Sequence, residues 1–197
     1  GERSMNTYLG ISSDLGPQDV SDEVAGDTAL LLIEGYLYDK APGKAALERA
    51  AQLCRRAGGK AGVSLSDPFC VDRHRTDFRR LVRELDYVIG NEHEWASLYQ
   101  TDLSSALEQA AAEIGTIACT RSGHDVLLIQ GNEQVAVPVN RVVPVDATGA
   151  GDQFAAGFLY GLATGKPLAV AGKMGCVAAA EVISHFGARP ETDMKAL

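Results

Sequence analysis

Four short stretches of the chain hold residue types that could do chemistry. The first is residues 142–162, VVPVDATGAGDQFAAGFLYGL. Its opening is β-branched and punctuated by proline, as suits the end of a strand. Ala150, Phe154, Phe158 and Leu162 then recur every four residues as one apolar helical stripe. A helix therefore begins near residues 149–151. Glycines there allow close backbone approach, and first-turn N–H groups have no acceptor within their own helix. Gly149, Ala150 and Gly151 thus make a candidate anion hole. Asp152 stands in the same turn. A carboxylate is a poor ligand for a phosphate, because like charges repel, but it is well placed to take a proton from an attacking hydroxyl. The competing reading is plain helix electrostatics, since an acid in a first turn gains roughly 0.3–1 kcal/mol from the macrodipole alone.

The other stretches are shorter. Gly90-Asn91-Glu92-His93-Glu94 follows the strand-like DYVI, where a strand end meets a helix start. Open α/β sheets bind ligands at such carboxyl ends, yet Asn91 with Glu94 three residues on also makes an ordinary capping box. Thr120-Arg121-Ser122-Gly123 ends a strand and reads equally as a β-turn, with Arg121 a solvated charge. Arg3 precedes a short strand near the start, where an arginine is ordinarily solvated. Asp146 suits an Asx turn. Spacing excludes two glycine motifs: Phe154 breaks the dinucleotide fingerprint begun by Gly149 and Gly151, and Gly165-Lys166-Pro167 lacks the earlier glycine of a Walker loop. His74, His93, His124 and His185 are scattered and predict no metal constellation.

These residues need elements to position them. Periodicity predicts a strand over 4–10, a polar turn region over 12–27 and a buried strand over 27–35. A helix over 42–57, a strand over 60–65, a helix over 72–85 and a strand over 86–89 follow. Helices over 91–100 and 102–114 precede strands over 116–120, 126–129 and 134–139, and the helix at Asp152 and one over 168–185 complete the chain. Alternating strands and helices imply a mainly parallel sheet flanked by helices, while the late strands imply an antiparallel edge. At 197 residues, 46% hydrophobic and 22% charged, the chain is long enough for one α/β domain with a proper core. A net charge of −8 argues against nucleic acid as partner, and no apolar run approaches the roughly 20 residues of a membrane span. Cys54, Cys70, Cys119 and Cys176 form no C-x-x-C pair, which suits reduced thiols and a cytoplasmic setting.

The string DATGAGD, followed by an aromatic-rich helix, resembles the signature of the ribokinase-like (phosphofructokinase B) family of sugar and nucleoside kinases. The resemblance implies a ribokinase-like Rossmann-type core that binds ATP and Mg²⁺, with Asp152 as base. It implies Asn91 and Glu94 as the N-x-x-E motif, with Glu94 helping to hold Mg²⁺ through water. Thr120 and Gly123 would lie against nucleotide phosphates, although T-R-S-G departs by one position from the family's T-x-G. Asp146 matches the first motif Asp, which in many members contributes to a monovalent cation (K⁺) site. Residues 1–27 correspond to a lid-derived strand and connection, in which Arg3 would clamp phosphate, and 28–197 to the ATP-binding and catalytic core. The family's N-terminal part, with its Gly-Gly substrate motif and acceptor-gripping carboxylate, has no counterpart here, which leaves an exposed sheet edge that invites association as a homodimer. Ser66-Asp67-Pro68-Phe69 is similar to the S-x-P-F of the adenosine-kinase branch rather than the DPN-x-R of sugar kinases. Adenosine is therefore the expected acceptor. The alternatives are a sugar kinase acting on fructose, ribose or 2-keto-3-deoxygluconate, or a truncated nucleotide-binding module without turnover.

Overall fold

A computed structural model describes Asn6 and residues 8–196. Six strands form one sheet in sequence order: β1 (Leu30–Glu34), β2 (Lys60–Ser64), β3 (Tyr87–Asn91), β4 (Thr116–Arg121), β5 (His124–Gln130) and β6 (Glu133–Val137). Helices intervene between the early strands. They are α2 (Ala41–Arg56), α3 (Pro68–Arg73), α4 (Arg75–Glu84), α5 (Glu92–Tyr99) and α6 (Leu103–Ala111), with α1 (Asp22–Gly26) before β1 and α7 (Ala150–Ala163) and α8 (Leu168–Val182) after the last strand. A helical crossover returns the chain to the same end of the sheet, so β1 pairs with β2 and β2 with β3 in parallel, Glu34 opposite Ser64 and Val63 opposite Val88. The late strands are joined by two-residue turns, Ser122-Gly123 and Gly131-Asn132, which only antiparallel neighbours permit. The fold is thus a mixed α/β sheet, mainly parallel at one side and antiparallel at the other.

The chain divides into two compact units. The larger comprises Tyr8–Cys119 with Ile129–Asn132, and its core is filled by Tyr38, Phe78, Trp95, Leu81 and Val63, all essentially inaccessible. Tyr38 and Phe78 stack at 4.9 Å, and the Trp95 indole donates to Ala118 O at 3.4 Å, which satisfies the one polar atom of a buried ring. The smaller unit comprises Thr120–Leu128 and 133–196 as its described parts. There α7 and α8 lie so close that a Cβ on Gly161 would fall 2.6 Å from Ala171 Cα, and one on Gly175 would fall 2.8 Å from the Phe154 ring. Glycine at these positions is what allows the two helices to approach so closely.

Several elements differ from expectation. No strand occupies the described part of 4–10: Asn6, Tyr8 and Leu9 are irregular, and Gly10 (φ +57°) opens a 3₁₀ turn, Gly10–Asp14, closed by Ser13 Oγ donating to Gly10 O at 2.8 Å. The turn region contains α1, because the Ser21 hydroxyl accepts from Val24 N and Asp22 and Glu23 suit a first turn. The single helix expected over 72–85 is two. Asp67 caps Cys70 N at 2.7 Å with Pro68 just inside, which starts α3 early, and His74 (φ −121°) breaks the chain before α4. The β-branched VVPV forms no strand. Pro138 and Pro144 cannot donate to a ladder, and Val145 N donates instead to Ile183 O at 2.8 Å.

Candidate active site

In the larger unit the carboxyl ends of three parallel strands carry a carboxylate each: Glu34 closing β1, Asp67 just after β2, and Glu94 in the first turn after β3. Glu94 is 4% exposed. Its Oε2 accepts from Asn91 N at 2.7 Å and its Oε1 from Asn91 Nδ2 at 2.5 Å, while Asn91 Oδ1 accepts from His93 N and Glu94 N at 2.9 and 3.0 Å. The capping box is therefore complete. The carboxyl pKa is pushed up to about 7, mainly by burial; the Asn91 N–H opposes this, and the negative charges of Asp67 and Glu34 add to it. Gly90 is required beside it, because a Cβ there would come within 2.8 Å of Leu65 and 3.1 Å of Glu94 Oε2.

Sequence reasoning missed part of this region. Glu34 accepts from the Ser66 hydroxyl, Tyr36 donates its hydroxyl to Ser66 O at 3.3 Å, and Ser66 adopts φ 71°, a left-handed conformation uncommon for serine. Phe69 is 75% exposed and Tyr36 is partly exposed. The signal that could have found Glu34 and Asp67 was their place at predicted strand ends, the rule that drew attention to Asn91 and Glu94.

In the smaller unit the chain turns into α7 at Gly149, whose φ of +82° disfavours a side chain, and a Cβ there would also lie 2.9 Å from Ala188 O. Asp146 anchors the turn: Oδ1 accepts from Thr148 N at 2.9 Å and Thr148 Oγ1 at 2.6 Å, and Oδ2 from Gly187 N at 3.2 Å. The Asx turn read from sequence is present. Of the predicted donors, Ala150 N already points to Ala147 O at 3.3 Å, and the helical ladder begins with Gln153 N donating to Gly149 O at 2.9 Å. The Gly151 and Asp152 N–H groups lie in the first turn, and both residues are exposed. An exposed carboxylate thus stands among first-turn donors.

Thr120 and Gly123 also belong to the smaller unit. Thr120 is in the end of β4, and Ser122 (φ 51°) and Gly123 form the hairpin turn into β5. Arg121 Nε donates across that hairpin to Asp125 O at 2.7 Å, a structural use of its guanidinium. Asp152, the glycine turn, Asp146, Thr120 and Gly123 therefore share one unit, whereas Asn91 and Glu94 lie in the other. Arg3 lies outside the described residues. Among the described residues no group of three or more His, Cys, Asp or Glu side chains is arranged to hold a metal, and the four cysteines are buried and form no disulfide.

The sheet and its flanking helices define an α/β protein of the ribokinase-like fold, whose smaller unit sets an exposed carboxylate directly after a glycine turn. Residues 1–194 match the pfkB family carbohydrate kinase model, and the chain belongs to that family. It is similar to a probable sugar kinase protein from Rhizobium etli CFN 42 (44% identity, TM-score 0.97) and to adenosine kinase from Sinorhizobium meliloti (40% identity, TM-score 0.96), covering 100% of this chain and 61% of each of those chains. Aminoimidazole riboside kinase from Salmonella enterica, solved with aminoimidazole riboside and an ATP analog, shares the fold at 20% identity, with a TM-score of 0.78 over 97% of this chain and 66% of that one. The chain spans about half the length of curated relatives such as an uncharacterized sugar kinase from Archaeoglobus fulgidus, to which it is 34% identical over 60% of itself and 48% of that protein.

Proposed function

We propose that this chain carries the phosphate-transfer chemistry of an ATP-dependent kinase whose acceptor is a primary hydroxyl on a small ribose-containing molecule, adenosine being the best fit. The observation that carries the reading is the exposed Asp152 carboxylate in the first turn of α7, directly after a glycine turn braced by Asp146. Asp152 takes the hydroxyl proton as the acceptor oxygen attacks the γ-phosphorus; the bond from that phosphorus to the β–γ bridging oxygen breaks, and ADP leaves with the electron pair. First-turn N–H groups at Gly151 and Asp152 hold phosphate oxygens through the charge change. Thr120 and Gly123 lie along the nucleotide phosphates in this reading, and Arg3 would clamp the transferred group.

In this reading Glu94, a hard oxygen donor on which the charges of Asp67 and Glu34 also act, is the residue that would help to hold Mg²⁺. Because both Glu94 oxygens already accept from Asn91, the carboxylate would hold Mg²⁺ through water. Bound Mg²⁺ supplies neutralisation of phosphate charge. A monovalent cation near Asp146 rests on the family resemblance, and a K⁺ titration of turnover tests it.

Exposed Phe69, just after β2, supports a nucleoside over a free sugar, since a purine can stack on an aromatic face and a sugar gains less there. Similarity to a probable sugar kinase keeps a second reading, phosphorylation of fructose, ribose or 2-keto-3-deoxygluconate. The span of 61% of its neighbours' chains keeps a third, a nucleotide-binding module without turnover that associates through the β1 edge. An ADP-release assay with adenosine and with each sugar separates them: adenosine-dependent release supports the first, sugar-dependent release the second, and ATP binding with no release the third.

A further inference from the structure

Outside the turn itself, a partly buried acid–histidine pair stands behind it. Glu181, near the end of α8, has a side chain 9% exposed, and His185, one helical turn on, has one 15% exposed. Glu181 Oε1 accepts from both Glu191 N and Thr192 N at 2.9 Å, so one carboxylate oxygen ties down the returning chain ten and eleven residues later. His185 Nε2 lies 3.4 Å from the same oxygen, and its Nδ1 lies 3.8 Å from Glu191 Oε1 and 3.2 Å from Phe186 O. Glu181 Oε2 is inaccessible and has no hydrogen-bond partner among the described residues, so the carboxylate is held through Oε1 alone.

The segment held in this way touches the candidate active site at four points. Ile183 O accepts from Val145 N at 2.8 Å and from Asp146 N at 3.4 Å. Gly187 N donates to Asp146 Oδ2 at 3.2 Å, and Ala188 packs where a Cβ on Gly149 would be. The grip of Glu181 on residues 191–192 and the contacts of 183–188 with the turn are thus parts of one closed loop of chain. Burial pushes the Glu181 carboxyl up, but the Thr192 and Glu191 N–H groups and the His185 ring outweigh it and hold the group below its usual range, so it is ionised at neutral pH.

We propose that Glu181 is a positioning residue for the phosphate-binding turn: by clamping the 183–192 return, it fixes Gly187 and Ala188 against Asp146 and Gly149, and so holds the Gly151 and Asp152 donors in register. Its consequence for turnover rests on the kinase reading above, whereas its mechanical part does not. The test compares the full chain with Glu181→Ala and Glu181→Gln. Glutamine keeps an acceptor oxygen for the two N–H groups and loses the charge. Amide hydrogen exchange is read over 143–151, over 187–193 and over the body of α7, beside thermal unfolding and ATP binding. In Glu181→Ala, exchange rises about tenfold or more in both 187–193 and 143–151 while the α7 body is unchanged, and ATP binds more weakly; Glu181→Gln restores most of both. Faster exchange confined to 187–193, with 143–151 and ATP binding as in the parent, would overturn the proposal and leave Glu181 a tail anchor. Global unfolding of the alanine variant would make Glu181→Gln, its grip weakened by loss of the charge, the deciding protein: the partial loosening it leaves in 187–193 appears in 143–151 as well if the coupling holds, and loosening confined to 187–193 opposes it. If the parent chain turns over no acceptor, the kinase reading fails, but the exchange result still decides the coupling.

Discussion

At the scale of single residues, Asp152 and Glu94 are two carboxylates in opposite environments, and their roles divide accordingly. Asp152 is exposed in a first turn, where the proposed kinase reading makes it the proton acceptor. Replacing it with asparagine keeps the shape and removes the proton acceptor, so kcat falls by about 10²–10⁴-fold with KM for ATP little changed. Steady-state kinetics check this, and a loss confined to KM would contradict it. Glu94 is buried, and its pKa of about 7 in the folded chain stands above the ordinary 4.5. An acid raised by folding binds its proton more tightly in the native state, so its contribution to stability is most favourable below 4.5 and declines as pH rises towards about 7. Glu94→Gln keeps an acceptor for Asn91 N and removes the charge. Urea unfolding should show a flatter decline between pH 5 and pH 8 in that variant, with a gain on the order of 1–3 kcal/mol at the upper end. Parallel declines in both proteins would mean that Glu94 is not the titrating group. At Phe69, alanine removes a stacking face worth roughly 1–3 kcal/mol per base, so KM for adenosine should rise by about tenfold while any sugar is unaffected.

At the scale of elements, α7 and α8 set how rigidly the turn is held. Gly161→Leu would drive a side chain into the Ala171 backbone, whose Cα is only 2.6 Å from the new Cβ, and backbone cannot yield as a side-chain tip can. The expected cost is about 1–3 kcal/mol or more of stability, read by chemical denaturation. Gly123→Ala is the contrasting case. A Cβ there meets nothing within 4 Å, so stability stays within about 0.5 kcal/mol, while KM for ATP rises if the hairpin lies along phosphate. These elements were legible in the sequence to different degrees. The α7 stripe of Phe154 and Phe158 and the Asn91–Glu94 box are local patterns, and both are present, the two rings stacked at 5.8 Å. What escaped were features set by distant partners. VVPV has the composition of a strand, but Val145 N finds its acceptor on Ile183, 38 positions away in sequence, and two prolines preclude a ladder. The break at His74 is likewise hidden, because Phe78, Leu81 and Val82 keep one apolar face running through 72–85. Glu181 and Glu34 gave no motif, since each works by what the fold brings to it.

At the scale of the whole molecule, the chain belongs to the pfkB family, and both its turnover and its acceptor rest on the proposal above. The sheet order ends at β1, where Leu30, Leu31 and Leu32 are only partly buried. Sedimentation of this 197-residue chain should therefore reveal concentration-dependent association through that edge, and a monomer across about a hundredfold range of concentration would contradict it. Net charge of −8 makes local compensation by backbone donors and Mg²⁺ necessary for any nucleotide. Binding and turnover should accordingly both depend on the divalent cation, and chelation should abolish them. The most direct test of the central claim is acceptor-dependent ADP release, measured with adenosine and with ribose and fructose, for the parent chain and for Asp152→Asn. The account predicts release with adenosine that falls by at least about a hundredfold in the variant while ATP binding persists. Equal release from parent and variant, or ATP binding with no release on any acceptor, would contradict it.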